Sequence, residues 1–255
     1  MDTVVIQMMF IRLANNMVID RNDFKKPMEI LHNIIKTYPY KKFVFEEGID
    51  YPDIDAANSV INAYLKEIQN MDMVIRESDI IISESPNPAV KLIAAQGKTI
   101  ALINKGKYND AIDFVYKIIK QYPEILVPVF KRDENYTINF ISESAVSLIN
   151  NGYYDPAKLF IKKIINSYPQ TLSLLPEQNN YYCIQLISMV LNALVDINNK
   201  DELSEFIEIF KSDFSNYYDF KDYHPAGSLT YQLWIKGKKD YNWNGRINLA
   251  KWPNY

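Results

Sequence analysis

Glycine is scarce in this chain, with 7 residues among 255. All-β proteins and nucleotide-binding α/β proteins of this length need glycine in their turns and phosphate loops. The sequence contains no phosphate-loop or dinucleotide-binding glycine motif. The scarcity of glycine therefore favours helices that are connected by short polar loops.

Cysteine and histidine are almost absent. Cys183 is the single cysteine, which excludes an intramolecular disulfide and any zinc site built on several thiolates. The two histidines, His32 and His224, lie far apart, and no nucleophile motif accompanies them. We interpret Cys183 as a small buried hydrophobic residue and both histidines as structural. The sequence therefore predicts no catalytic residue, no cofactor and no metal site.

The sequence also lacks a long apolar run. No stretch approaches the ~20 apolar residues that a helix needs to cross a bilayer. The chain starts without the positive charge that a secretory signal carries ahead of its apolar segment. We therefore predict a cytoplasmic protein that does not bind membranes. A sequence pI near 5.5 also disfavours nucleic acid as a partner.

Negative charge is concentrated in residues 44–88. Ten carboxylates oppose Lys66 and Arg76 there, which gives this stretch a net charge of −8 in a chain whose total is −3. Such a field can steer a cationic partner, although a solvated helix face can be acidic without that role. Gly48 and Pro52 interrupt any helix, so we expect an exposed loop here. We assign partner binding to five carboxylates in or beside this loop: Glu46, Glu47, Asp50, Asp53 and Asp55.

A repeated pattern of residues runs through the chain. Two segments share a glycine, a tyrosine two residues later, an alanine five residues later and a proline seventeen residues later. These copies begin at Gly106 and Gly152, and a third copy with changed residues begins at Asn22. Glycine or asparagine suits a left-handed residue after a helix, alanine permits close helix packing, and proline ends the next helix. The pattern therefore predicts helical hairpins.

The pattern resembles the second half of a tetratricopeptide repeat over residues 92–125 and 138–171. The resemblance implies a protein-binding repeat protein of paired antiparallel helices. The copies are 46 residues apart, against ~34 in that family. We therefore predict an all-α fold in which antiparallel helical hairpins stack as a short irregular α-solenoid. It forms one domain over residues 1–255, with a weak subdivision near 78–86.

Apolar periodicity and turn residues together predict ten helices. Pro27 and Pro156 fall in first turns, where a missing N–H costs little. Asn87 and Asp155 can cap the helices that follow them. The predicted helices cover residues 3–18, 23–38, 54–77, 87–105, 109–122, 138–150, 155–168, 176–197, 200–214 and 225–236.

Aromatic residues crowd the C-terminal tail. Tyr241, Trp243, Trp252 and Tyr255 lie within its last fifteen residues. The end of a helical stack exposes an apolar face that needs a cover, so we predict that this tail folds back as an aromatic cap. The chain has 19 tyrosines, and adjacent pairs such as Tyr181-Tyr182 and Tyr217-Tyr218 cannot both face one buried stripe of a helix. We therefore expect some exposed tyrosine surface, which is a feature of protein interfaces.

The C-terminal stretch resembles the ending of all-helical immunity proteins from bacterial polymorphic-toxin systems. The resemblance rests on His224-Pro225, Gly227, Leu229, Gly237, Leu249 and Trp252-Pro253. With the acidic stretch, it implies a non-enzymatic protein that binds and neutralises a cognate toxin, and a basic toxin domain is then the partner. The alternatives are a cytoplasmic scaffold or regulatory adaptor of the tetratricopeptide type, and an enzyme with an unrecognised site. The sequence leaves the oligomeric state open.

Overall fold

The computed structural model describes residues 3–21, 24–38, 51–122, 136–168 and 181–213. These residues form ten α-helices and one π-helical turn, with no strand among them. The chain divides into two compact units, residues 1–140 and 141–255. The all-α prediction is confirmed for the described residues, while the single-domain prediction stays a prediction. The helices have these bounds: α1 Thr3–Arg21, α2 Lys25–Thr37, α3 Pro52–Asn62, α4 Met71–Glu84, α5 Pro88–Asn104, α6 Tyr108–Gln121, α7 Tyr136–Asn150, α8 Tyr154–Ser167, α9 Tyr181–Asp196 and α10 Lys200–Asp213.

In the first unit, α2 packs against α1 and α3, and α5 packs against α3, α4 and α6. The shared core is mostly aliphatic, with buried Ile, Leu, Val and Ala side chains from α1 to α5. Gly97 on α5 faces Ile61 on α3. A Cβ atom built on Gly97 would lie 2.5 Å from Cγ2 of Ile61, which is closer than two carbon atoms can approach. The helix crossing therefore requires glycine at this position.

In the second unit, α10 packs against α8 and α9. Large phenylalanines fill this core, and Phe160, Phe206 and Phe210 are each at most 1% exposed. The ring centroids of Phe206 and Phe210 lie 6.4 Å apart, within the range of favourable aromatic pairs. Among the described helices of the whole chain, none is both long and apolar enough to span a membrane.

Three helix-ending turns recur every 46 residues, at Gly106, Gly152 and Asn198. All three residues are left-handed, with φ of 76°, 78° and 54°. Glycine and asparagine adopt this conformation at the lowest cost. The left-handed residues predicted at Gly106 and Gly152 are confirmed, whereas Asn22 lies outside the described residues.

The hydrogen bonds of the three turns follow one pattern. In the first, the N–H of Gly106 donates to the carbonyl of Ile103 at 2.8 Å, and the N–H of Lys107 donates to the carbonyl of Leu102 at 2.9 Å. The corresponding bonds occur in the turns at Gly152 and Asn198. This arrangement is the Schellman motif, which satisfies carbonyl groups at the end of a helix.

The helices after these turns, α6, α8 and α10, each have 14 residues, and their first residues are also 46 apart. The structure therefore contains a hairpin, α9–α10, that continues the repeat beyond the copies that begin at Gly106 and Gly152. The sequence of this hairpin does not match the repeat pattern, because Asn198 replaces glycine, Lys200 replaces tyrosine and Leu203 replaces alanine.

The predicted helix 54–77 is wrong, because the structure interrupts it. After α3 the chain forms a π-helical turn at Ala63–Glu67, and α4 begins at Met71. Gln69 between them is left-handed with φ of 53°. The side chain of Asn70 caps α4 by accepting a hydrogen bond from the N–H of Met73 at 3.1 Å. Since α4 continues to Glu84, residues 78–84 are helical, although they lie between the predicted helices 54–77 and 87–105.

The two predicted caps have different outcomes. Asn87 does cap α5, with its side chain accepting a hydrogen bond from the N–H of Ala89 at 2.9 Å. The prediction for Asp155 is wrong, because α8 begins one residue earlier and Tyr153 occupies the cap position. The predicted helix 225–236 and the aromatic tail lie outside the described residues.

Candidate functional site

The structure describes two of the five carboxylates that the sequence assigns to partner binding. Glu46, Glu47 and Asp50 lie outside the described residues, and their assignment stays a prediction. Asp53 and Asp55 lie in the first turn of α3, which Pro52 opens. Asp55 is half-buried, and Asp53 is only 1% exposed. The expectation that Asp53 lies on an exposed surface is therefore wrong.

Asp53 connects two helix starts. Its Oδ2 atom accepts a hydrogen bond from Nδ2 of Asn87 at 2.7 Å, and Asn87 also caps α5. The other carboxylate oxygen, Oδ1, has no hydrogen-bond partner among the described residues. Burial raises the pKa of Asp53, although the hydrogen bond from Asn87 opposes that shift. This carboxyl group joins α3 to α5 and is not available to a partner.

Other carboxylates of the acidic stretch, on α4, are paired with lysines from neighbouring helices. Asp79 lies 2.6 Å from Nζ of Lys98, and Glu84 lies 3.8 Å from Nζ of Lys36. Asp72 forms a third pair, with Lys105. Lys36 lies on α2, Lys98 lies on α5 and Lys105 directly follows α5, so all three are outside residues 44–88. The count of −8 is arithmetically right, but it overstates the negative field on this surface.

A cluster that the sequence analysis missed lies where α2 meets α4. Nε2 of His32 lies 2.8 Å from Oε2 of Glu77. The other carboxylate oxygen of Glu77 accepts hydrogen bonds from Arg76, at 2.8 Å from NH2 and 3.2 Å from Nε. Glu77 is 5% exposed, so these bonds compensate the cost of burying its charge. The hydrogen bond from His32, followed by the charge of Arg76, lowers the pKa of Glu77 against the effect of burial.

The π-helical turn contributes Tyr64 to the surroundings of this cluster. Burial, and then the negative charge of Glu77, raise the pKa of Tyr64. One sequence signal could have revealed the cluster. Glu77 and Ser78 interrupt the spacing between Val74 and Ile81, so a carboxylate occupies the buried stripe of α4. A charge on a buried stripe needs a partner, and His32 on the buried side of α2 was available.

A second charged cluster lies on the surface of the second unit. Nζ of Lys158 on α8 lies 3.3 Å from Asp155 and 2.8 Å from Glu202, and it also pairs with Glu205. Burial alone would lower the pKa of Lys158, but the three carboxylates outweigh it and raise that pKa. One ammonium group therefore faces three carboxylates, which leaves a net charge of −2.

The acidic character of this region extends along α10. Asp201, Glu205 and Glu208 are exposed and lie at helical spacing on one face, and Asp155 on α8 is 93% exposed in its side chain. We call this surface the α8–α10 acidic surface, and it consists of Asp155, Asp201, Glu202, Glu205 and Glu208. A count of charges along the sequence understates this surface, because Lys200 and Lys211 lie within α10 near its two ends.

The chemistry available to other candidate residues is limited. His224 lies outside the described residues, and Cys183 lies on α9, where its side chain is not described. Among the described residues, no group of three His, Cys, Asp or Glu side chains is arranged to hold a metal ion. His32 with Glu77 is the arrangement by which a carboxylate orients an imidazole.

Comparison with known proteins gives no family. No protein-family model, no curated protein and no solved structure matches this chain. Any account of its function therefore depends on its own residues.

Proposed function

We propose that this chain is a non-enzymatic protein-binding protein made of helical-hairpin repeats, and more specifically an immunity protein that neutralises a cognate toxin. The recurrence of one turn at Gly106, Gly152 and Asn198 supports a repeat protein. Proteins built of such repeats commonly bind other proteins on extended surfaces. In this proposal the hairpins stack as a short irregular α-solenoid of the tetratricopeptide type, the aromatic tail caps one end, and the protein acts in the cytoplasm.

The α8–α10 acidic surface is the observation that supports a basic toxin domain as the partner. Three of its carboxylates share one cation, Lys158, and Asp155 and Glu205 among them are exposed, so a basic toxin domain would meet a net negative charge there. Glu46, Glu47 and Asp50 would add to that field. The acidic residues of α4 would contribute less, because lysines from neighbouring helices pair with them.

The test begins with the open reading frame immediately upstream. Its product is expressed in a host cell alone and together with this chain. Immunity predicts growth arrest that co-expression relieves, and a complex that can be purified. A neighbouring product that neither arrests growth nor binds the chain contradicts the immunity assignment.

A charge-reversal experiment then tests the surface. Asp155→Lys with Asp201→Lys should slow association with the partner at low salt, and the effect should shrink as salt rises, because screening shortens to ~8 Å at 0.15 M. Asp110→Lys is a matched control, since Asp110 is an exposed residue in the first turn of α6. Equal association rates for all variants would remove the α8–α10 acidic surface from the interface.

Two other functions compete with immunity. A scaffold or regulatory adaptor is favoured by the same repeated turns, and it predicts a partner that is not toxic. An enzyme is favoured by the His32–Glu77 pair alone. Replacing His32, His224 and Cys183 together by structurally mild residues should leave the biological activity intact, and loss of activity in a folded variant would support the enzyme.

A further inference from the structure

Helix α1 has two apolar faces. On one side Ile11, Ala14 and Val18 are at most 4% exposed and pack into the core of the first unit. On the opposite side five large apolar side chains are between 36% and 59% exposed. We call these five the apolar face of α1: Val5, Ile6, Met9, Phe10 and Leu13. A helix that is apolar all round is normally covered on every side, so this face lacks a neighbour among the described residues.

The spacing of the exposed side chains defines the shape of what covers them. Val5, Met9 and Leu13 follow one another at intervals of four residues, and so do Ile6 and Phe10. Side chains at this spacing form parallel ridges, and the groove between them accepts the equivalent ridge of another helix at a crossing angle of about −50°. The face runs over nine residues, from Val5 to Leu13, or about 12 Å along the axis, which suits a crossing helix that touches only two to three turns.

A second copy of α1 carries the same ridges and groove. Arg12 is the only charged side chain among those described on α1, and it lies at the edge of the face. Two copies can therefore meet without placing like charges or a buried carboxylate at the centre of the contact. A two-fold axis through the middle of the face, near Met9, would insert a ridge of each copy into the groove of the other.

The exposed area of the apolar face of α1 is consistent with a weak dimer. Because a large side chain covers on the order of 150–200 Å², five half-exposed ones offer roughly 400 Å² per copy. A pair of copies would bury roughly 800 Å² from these residues alone, and the flanking Arg12 and Asn16 bring the total near the ~1,000 Å² that a specific interface needs. We propose that the apolar face of α1 is a homodimer interface, on which α1 of a second copy of this chain packs. The proposal rests on α1 alone and needs no toxin, so it can fail while the proposed function stands.

Sedimentation equilibrium of the purified chain tests the interface. Between roughly 1 μM and 1 mM the parent should pass from monomer to dimer. Met9→Glu with Leu13→Glu should weaken this association by at least about 30-fold, because both changes place charge at the centre of the contact. Leu159→Glu is the matched control, since Leu159 on α8 is 69% exposed, and it should dimerise like the parent.

Three results would overturn the interface: a parent that stays monomeric over the whole range, a double variant that dimerises as tightly as the parent, or assemblies larger than a dimer. Circular dichroism melting checks that each variant is folded. Should the double variant not fold, cross-linking decides the question. Met9→Cys in a Cys183→Ser background should yield a covalent dimer with a short bis-maleimide, and Leu159→Cys should not. Absence of the Met9→Cys dimer contradicts the proposal.

Discussion

The two units of the chain treat their surface charges differently. In the first unit, Asp72, Asp79 and Glu84 on α4 each pair with a different lysine, from α2, from α5 or from the residue that follows α5. In the second unit, Asp155, Glu202 and Glu205 share Lys158. One lysine for each carboxylate leaves little net charge on the surface of the first unit. One lysine for three carboxylates leaves the surface of the second unit with an excess of negative charge. A count of charges along the sequence ranks the two surfaces in the opposite order, because it ignores which helices are neighbours.

The largest effect expected is common to both units and would show that the same helix contact recurs in each of them. Ala111 on α6 and Ala157 on α8 are equivalent in the repeat and both are 0% exposed. Ala→Leu at either position should lower the free energy of unfolding by about 1–3 kcal/mol, because the added atoms overpack a helix contact. Chemical denaturation measures this, with exposed Lys117→Leu and Lys162→Leu as controls. If both alanine variants unfold like the parent, the repeat alignment is wrong.

The next effect concerns Glu77 of the first unit, whose pKa is lowered. Its charged form stabilises the fold above its ordinary pKa of 4.5, and this stabilisation is lost as pH falls through the lowered pKa. Glu77→Gln should therefore cost about 1–2 kcal/mol at pH 7 and less in acid, since it weakens the bonds to His32 and Arg76. Urea denaturation at pH 7 and pH 4 measures the difference. A cost that is constant with pH would contradict the role of the charge.

Asp53, in the same unit, should behave in the opposite way. Its raised pKa means that the stability contributed by the neutral form is complete below the ordinary value of 3.8 and is lost as pH rises through the raised pKa. Asp53→Asn should therefore stabilise the chain by about 1 kcal/mol at pH 7, and the gain should vanish in acid. Urea denaturation at pH 7 and pH 4 measures this change in the free energy of unfolding, with Asp110→Asn as an exposed control. Destabilisation at pH 7 would show that the charged form is satisfied by a partner.

The smallest effect tests the comparison itself. Lys158→Met leaves three carboxylates without their shared cation and should lower the free energy of unfolding by about 1 kcal/mol at low salt. Lys98→Met leaves only Asp79 without its cation and should lower it by at most about 0.5 kcal/mol. High salt should reduce the first cost more than the second, since it screens the repulsion among the carboxylates. If the two variants lose the same free energy of unfolding, or if neither loss depends on salt, the proposed difference between the two units is contradicted.

Local features of the fold could be predicted from the sequence. The predicted helix 109–122 is observed as Tyr108–Gln121, because its start and end depend on a left-handed glycine and on apolar spacing within fifteen residues. The break at Gln69 was missed because no glycine or proline marks it. Asn70, which caps α4, was the available signal.

The charged clusters could not be predicted because their members come from distant parts of the chain. His32 and Glu77 are 45 residues apart, and Lys158 and Glu205 are 47 apart. Which residues meet depends on how helices pack, and a window of sequence contains only one side of each pair. The α9–α10 hairpin was not predicted for a different reason. Asn198 has the left-handed backbone conformation of Gly152 but is a different type of residue.

The π-helical turn at Ala63–Glu67 bears on the history of the chain. The N–H of Ile68 donates to the carbonyl of Ala63, five residues back, at 2.9 Å, so this turn holds one residue more than an α-helical turn. Such a turn is the form that a single inserted residue takes when a helix absorbs it. A chain without that residue would carry the side chains between this turn and the break at Gln69 about 100° round the helix axis. Related chains, aligned to this one, should therefore show either the same five-residue interval or a gap of one residue within it.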